Sequence, residues 1–153
     1  MTDAPGRAVT LSEITEENWR EVADVAPRDD QRRFVPALAA RYLVLSMRGG
    51  PWTSLAVLAG GVVAGHVMWA YDPDDDAHWI GGMVIDAAQQ GRGVGRAALH
   101  ATIAMLSRMP GAREIRLSYH PENVVAATLY EAAGFRPTGE HEGDEVVVAR
   151  ALR

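Results

Sequence analysis

The sequence predicts one α/β domain, built on a single mixed and mostly antiparallel sheet with helices packed against it. Three observations point there. At 153 residues the chain is long enough for one real core. Short apolar runs of strand length are interleaved with longer runs at helical spacing. Gly60-Gly61 separates two apolar runs, which is a hairpin signal.

Residues 1–8 read as a flexible tail ahead of a domain spanning 9–153. Residues 9–14 alternate and form a strand. Thr15-Glu16-Glu17-Asn18 opens a helix, and residues 19–25 keep apolar side chains at helical spacing until Pro27-Arg28-Asp29-Asp30 breaks it. A second helix is expected from about residue 31 to 46, running through Pro36. Residues 54–59 and 62–70 make the hairpin around Gly60-Gly61, and an acidic turn follows at 72–76. Residues 79–86 form the next strand. A glycine-rich loop and a helix to about Arg108 come after it, then a strand at 114–119. Asn123 caps a helix that ends at Ala133, with Gly134 supplying the left-handed residue beyond it. Strands at 136–142 and 145–152 close the order β-α-α-β-β-β-α-β-α-β-β.

Composition excludes several classes. A net charge of −5 leaves no basic surplus for tracking nucleic acid. The absence of cysteine excludes disulfides, thiolate metal sites and acyl-cysteine intermediates. His66, His78, His100 and His141 show no metal-ligand spacing, so no metal is expected. Every apolar run is interrupted before it could span a bilayer, and no signal peptide is apparent. A cytoplasmic protein without a membrane partner is the expectation.

The stretch Gln90-Gly91-Arg92-Gly93-Val94-Gly95 stands between a strand and a helix. Glycines let a ligand approach the backbone, and a helix start offers unpaired N–H groups and a positive dipole end. Together they make an anion site suited to phosphate. Gly93-Val94-Gly95-Arg96-Ala97-Ala98 fits a loose dinucleotide pattern, but that pattern should follow the first strand of a βαβ unit. A P-loop needs lysine, and the chain has none. A glycine-rich turn without a ligand is the third reading.

Two motifs together decide among these. Gln90-x-x-Gly93-x-Gly95 resembles the Gln/Arg-x-x-Gly-x-Gly/Ala loop of the GNAT superfamily of acetyl-CoA-dependent N-acetyltransferases. The stretch from Asn123 to Phe135 resembles that superfamily's second signature, Asn-x-x-Ala-x-x-Leu-Tyr-x-x-x-Gly-Phe. The resemblance covers nearly the whole chain. It implies the GNAT acyl-CoA N-acyltransferase fold, acetyl-CoA as co-substrate, and acetyl transfer to an amine.

Residue by residue, the resemblance implies that the loop from Gln90 through Gly91, Arg92, Gly93, Val94 and Gly95 to Arg96 binds the pyrophosphate. The pantetheine arm would lie in a split between the strands at 79–86 and 114–119. There it would pair with backbone at Met83, Val84 and Ile85, and contact Asn123 and Ala126. The Val84 N–H is the expected oxyanion donor. Tyr130 would protonate the leaving thiolate, and the amine would attack directly. The superfamily often has a carboxylate on the strand where this chain has Gly81-Gly82, so the proton acceptor is sought elsewhere. His120 is the first candidate because imidazole titrates near pH 6.5; Glu122 and Asp76 are the others.

The branch that the chain most resembles is the bacterial spermine/spermidine acetyltransferases. It is matched by Thr15-x-x-Asn18-Trp19, Gln31-x-x-Phe34-Val35, Tyr71-Asp72-Pro73 and the segment from Ser118 to Asn123. Phe34, Asp76, His78 and His120 fall on the acceptor side. Asp74, Asp75, Glu140, Glu142, Asp144 and Glu145 would make the mouth acidic, which suits a polycation. Departures at Pro36-Ala37-Leu38, Val44, Gly82 and His120 all lie on that side. A small-molecule amine, best a polyamine, is the expected acceptor. An antibiotic, an amino-sugar, an amino-acid metabolite, a protein amine, or a non-catalytic acyl-CoA-binding role are the alternatives. The resemblance also implies a homodimer.

Overall fold

The elements follow in the predicted order in the computed structural model, which describes residues 1–152. They are β1 (Val9–Glu13), α1 (Trp19–Ala23), α2 (Ala40–Met47), β2 (Thr53–Ala59), β3 (Val62–Asp72), β4 (Ala77–Ile85), α3 (Val94–Ser107), β5 (Glu114–Tyr119), α4 (Val124–Ala132), β6 (Arg136–Glu142) and β7 (Glu145–Ala151). The strands form one sheet in the order β1-β2-β3-β4-β5-β7-β6, and every neighbouring pair is antiparallel except β4 and β5.

The helical spacing of α3 turns Val94, Ala97, Ala98, Leu99, Ile103 and Leu106 into the main core. There they meet Ile115, Leu117, Phe135 and Val148 from the sheet and from the end of α4. Smaller clusters built on Val22 and Leu43, and on Val25, Ala39 and Val84, seat α1 and α2.

Two expectations are corrected. The helix expected over 31–46 is a short 3-10 turn at Asp29–Gln31, then irregular chain, then α2 from Ala40. Pro36 has no N–H to give a helix and pushes Val35 out of helical geometry, so the spacing alone misleads there. The tail at 1–8 is tied down rather than loose. Thr2 bridges Ala8, the buried Asp3 accepts from Arg7 N and Nε at 2.7 Å each, and Ala4 N–H donates to Arg92 O.

Two irregularities prepare the site. β4 pairs with β5 only through Ala77–Trp79 and Glu114–Arg116; beyond that the strands part. The β3–β4 register also slips between His66 and Met68, so β4 carries a bulge where Gly82 sits at φ +56°.

Candidate active site

The parted strands open a cleft of about 1120 Å³. Sites for one small molecule run from about 300 to 1,000 Å³, so there is room for a cofactor and an acceptor together. Glycine loop, β4, end of β5, start of α4, the region before α2 and the β6–β7 turn all line it.

At one end lies the glycine loop expected to bind an anion. Gly91 and Gly93 take φ of +77° and +80°, and α3 starts directly after Gly93. The amides of Gly93, Val94, Gly95 and Arg96 thus belong to the first turn, where they have no intrahelical partner. Arg28 and Arg96 add positive charge to the lining. The Gln90 side chain braces the loop from within. Its Nε2 donates to Ile85 O (2.9 Å) and to Gln31 Oε1 (2.7 Å), while Gln31 Nε2 returns a bond to Gln90 Oε1 (2.9 Å). No spacing rule would have found its partner Gln31. Arg92 does not line the cleft; its carbonyl is held by Ala4.

In the split, alternation decides which amides are available. Asp86 N–H donates to Ala64 O on β3 (2.8 Å), so Val84 N–H, two residues back, also turns toward β3. The expected oxyanion donor is therefore corrected. By the same alternation Ile85 N–H turns away from β3, toward the split, and Met83, on the bulge, is the other N–H candidate.

The Met83 amide is further set by His66. His66 is fully buried, and its Nδ1 lies 2.6 Å from Gly82 O. A carbonyl only accepts, so Nδ1 carries the hydrogen and Nε2 accepts from Ser54 Oγ at 2.8 Å. Ser46 Oγ continues the chain 2.7 Å from Ser54 Oγ, and Tyr42 stacks on the imidazole at 5.4 Å and 5°. In a planar trans peptide the N–H points opposite to the C=O. Holding Gly82 O toward His66 thus aims Met83 N–H away from it.

Tyr130 is placed by the end of α4. Phe135 N–H donates to Tyr130 O (3.1 Å) and Gly134 N–H to Glu131 O (3.0 Å), a Schellman pair that needs Gly134 at φ +94°. It brings Phe135 edge-on to the Tyr130 ring at 6.1 Å, and Tyr119 packs beside that ring at 5.6 Å. Burial, with Tyr42 and Glu145 adding to it, pushes the Tyr130 hydroxyl up to about 12, so it stays protonated at neutral pH. Asn123 caps α4 by accepting from Ala126 N–H (3.3 Å), and both residues line the cleft.

The acceptor side matches expectation less well. Phe34 and His120 meet in the cleft with rings 5.5 Å apart. His120 Nδ1 accepts from Glu122 N–H (3.1 Å), which occupies the lone pair that would take a proton. Glu122 is paired with Arg33 at 2.8 Å. Asp76 and His78 do not reach the cleft lining. Asp76 accepts from Tyr71 OH in the β3–β4 turn, and His78 is buried beside Trp69 and Tyr71. Of the expected acidic mouth, Asp75, Glu142 and Glu145 line the cleft, joined by Asp72. Arg116 takes Glu140 out of the mouth, binding it at 2.8 Å together with Glu114 (2.7 Å), and lies 3.8 Å from Asp75. Sequence reasoning missed Tyr42 and Trp52. They fill the space beside Gly81 and Gly82, where an added Cβ would meet Trp52 at 3.0 Å and Tyr42 at 3.1 Å. The glycines gave the only signal, because their missing side chains had to be replaced by something.

Burial holds the His66 and His78 imidazoles below their ordinary value. Unfolding frees them to bind protons near pH 6.5, so the unfolded chain takes up more protons below that pH. Stability should be level above pH 6.5 and fall as pH drops beneath it. The urea midpoint at pH 5.5 is expected below that at pH 7.5; equal midpoints would contradict the burial argument.

Residues 9–135 match the model of the acetyltransferase (GNAT) family. The spermine/spermidine N(1)-acetyltransferase of Bacillus subtilis is 24% identical over 149 residues, covering 92% of this chain and 97% of the relative. The aminoglycoside N(6')-acetyltransferase type 1 of Klebsiella pneumoniae is 27% identical over 114 residues, covering 72% of this chain and 57% of the relative. Among solved structures, AAC(6')-Ib in complex with paromomycin and acetyl-CoA superposes with a TM-score of 0.78 at 20% identity, covering 94% of this chain and 93% of the other.

Proposed function

Since the chain belongs to the GNAT acetyltransferase family, we propose that it transfers an acetyl group from acetyl-CoA to a primary amine of a polycationic small molecule, best a polyamine such as spermidine or spermine. The observation that carries this is the charge division of the cleft. Arg28, Arg96 and the α3 amides stand at one end, which suits a pyrophosphate. Asp72, Asp75, Glu142 and Glu145 line the acceptor side, together with the rings of Tyr42, Trp52, Tyr71 and Trp79. Carboxylates and aromatic faces both attract ammonium groups. The match to the B. subtilis polyamine enzyme over nearly its whole length supports the same acceptor class.

When bound, acetyl-CoA supplies an activated acyl group. The loop amides hold its phosphates, and Met83 and Ile85 N–H face the arm and the acyl oxygen in the split. Tyr130 Oη donates to the sulfur as it takes on charge. No cysteine is available to carry the acetyl group, so the amine attacks directly.

Thiol release from acetyl-CoA across a panel of amines tests this, and the cysteine-free protein adds no background. Release with spermidine or spermine is expected. Release only with aminoglycosides, which are also polycations, would keep the reaction and replace the acceptor. Release with none of the amines would remove the reading.

A further inference from the structure

A protonated amine cannot attack, because its lone pair holds a proton. Polyamine nitrogens resemble lysine, with pKa values near about 10.4, so almost none are neutral at pH 7. Some group in the cleft has to take that proton. The wall at Gly81-Gly82 is closed to a carboxylate by Trp52 and Tyr42. Glu122 is bound to Arg33, Asp75 accepts from Trp79 Nε1 (3.2 Å), and the His120 lone pair is occupied.

One carboxylate is both oriented and placed across the split from that wall. Glu145 is half-buried, lines the cleft, and accepts from Ser118 Oγ at 2.8 Å through Oε1. Among the described residues no side chain donates to Oε2. Continuing the β4–β5 register from Trp79 and Arg116 puts Ser118 level with Gly81 on the far side of the gap. Glu145 shares the sheet face of Ser118, since Ser118 pairs with Val147, two residues along β7. Tyr119, on the opposite face, packs against Tyr130. The proton donor and Glu145 therefore approach the slit from opposite faces of the sheet.

Resting on the proposed acetyl transfer, we infer that Glu145 is the catalytic residue that takes the proton from the acceptor ammonium. Its Oε2 removes one proton, which passes on to water, and the freed nitrogen forms the C–N bond as C–S breaks. Sulfur takes a proton from Tyr130, and Tyr130 recovers one from the nitrogen, so the products are amide, thiol and one released proton. On its own face Glu145 meets Ser118 from β5 and Tyr42 from α2, with Glu142 opposite it across the β6–β7 turn, while Tyr119 and Tyr130 stand across the slit. None of them is a cation that would hold the carboxylate in a fixed ion pair. Burial and the nearby Glu145 both push the Tyr42 hydroxyl up to about 12, so that neighbour is a neutral hydroxyl at pH 7.

Glu145→Gln keeps the shape and the bond from Ser118 but cannot take a proton. At pH 7 its kcat/KM with spermidine should fall about 10²-fold, with acetyl-CoA affinity unchanged by calorimetry. As pH approaches the amine's own pKa, solvent deprotonates the substrate and the group becomes dispensable. The ratio of wild type to Glu145→Gln should then narrow by tenfold or more between pH 7 and about 9.5. Glu145→Asp, which keeps a carboxylate, should fall between the two at pH 7 and guards against a misfolded Gln variant. A ratio that stays constant with pH would mean that Glu145 only holds the substrate, and full activity of Glu145→Gln at pH 7 would remove it from the reaction; either overturns the inference. A wild-type protein that acetylates no amine would overturn the proposed function itself.

Discussion

Tyr130→Phe is expected to lower kcat about 10²-fold while KM for acetyl-CoA changes by less than about threefold. The substitution removes one hydroxyl and leaves the ring against Tyr119 and Phe135, so binding and folding lose little. What it removes is the proposed proton donor to the leaving sulfur. With its hydroxyl pushed up to about 12, Tyr130 does not release a proton to water at neutral pH, yet in the proposed role it would donate to a thiolate as charge develops there. That difference between ground and transition state is why the loss should fall on kcat. Steady-state thiol release, with the melting temperature as a control, reads it directly. A change of less than about threefold in kcat would take the proton donor away from Tyr130.

How far this was legible in the sequence depends on the range of the interaction involved. The strands, α3 and α4 are local patterns, and their order was readable from spacing and glycine position. The second signature was legible for the same reason: Asn123, Tyr130, Gly134 and Phe135 form one capped helix whose ends are set within a few residues. The helix across Pro36 failed because apolar spacing outvoted a local rule that should have won. The oxyanion donor failed by one residue. Strand direction inside a sheet depends on the partner strand, and Val84 N–H turns toward β3 only because of how Ala64 and His66 are registered against it. The acceptor side was least legible. Tyr42 and Trp52 come from separate segments that only the closed sheet brings against Gly81-Gly82, and Glu145 reaches the same cleft from a third. His120 looked the better base by residue type, but its lone pair is spent on the turn that leads into α4.

His66→Phe should separate the shape of the bulge from its chemistry. Phenylalanine preserves an aromatic ring under Tyr42 and removes both ring nitrogens. Gly82 O then loses its His66 partner, at about 1–3 kcal/mol, while Ser54 Oγ keeps only Ser46. A fall in the urea midpoint is therefore expected, but the informative result is kinetic. If His66 fixes the Gly82–Met83 peptide so that Met83 N–H faces the split, freeing that peptide weakens a donor needed only when the acyl oxygen becomes charged. kcat should drop about 10-fold or more, with little change in KM for either substrate. His66→Asn can place an amide N–H near the Nδ1 position and should recover part of kcat. A purely structural histidine would behave otherwise. Both variants would then lose stability in proportion to their missing hydrogen bonds, while kcat of the folded fraction stayed at the wild-type level. The relay from Ser46 through Ser54 to His66 makes the same distinction from further away, since Ser54→Ala leaves the Gly82 bond in place and loosens only the tautomer. Its kcat should lie between wild type and His66→Phe.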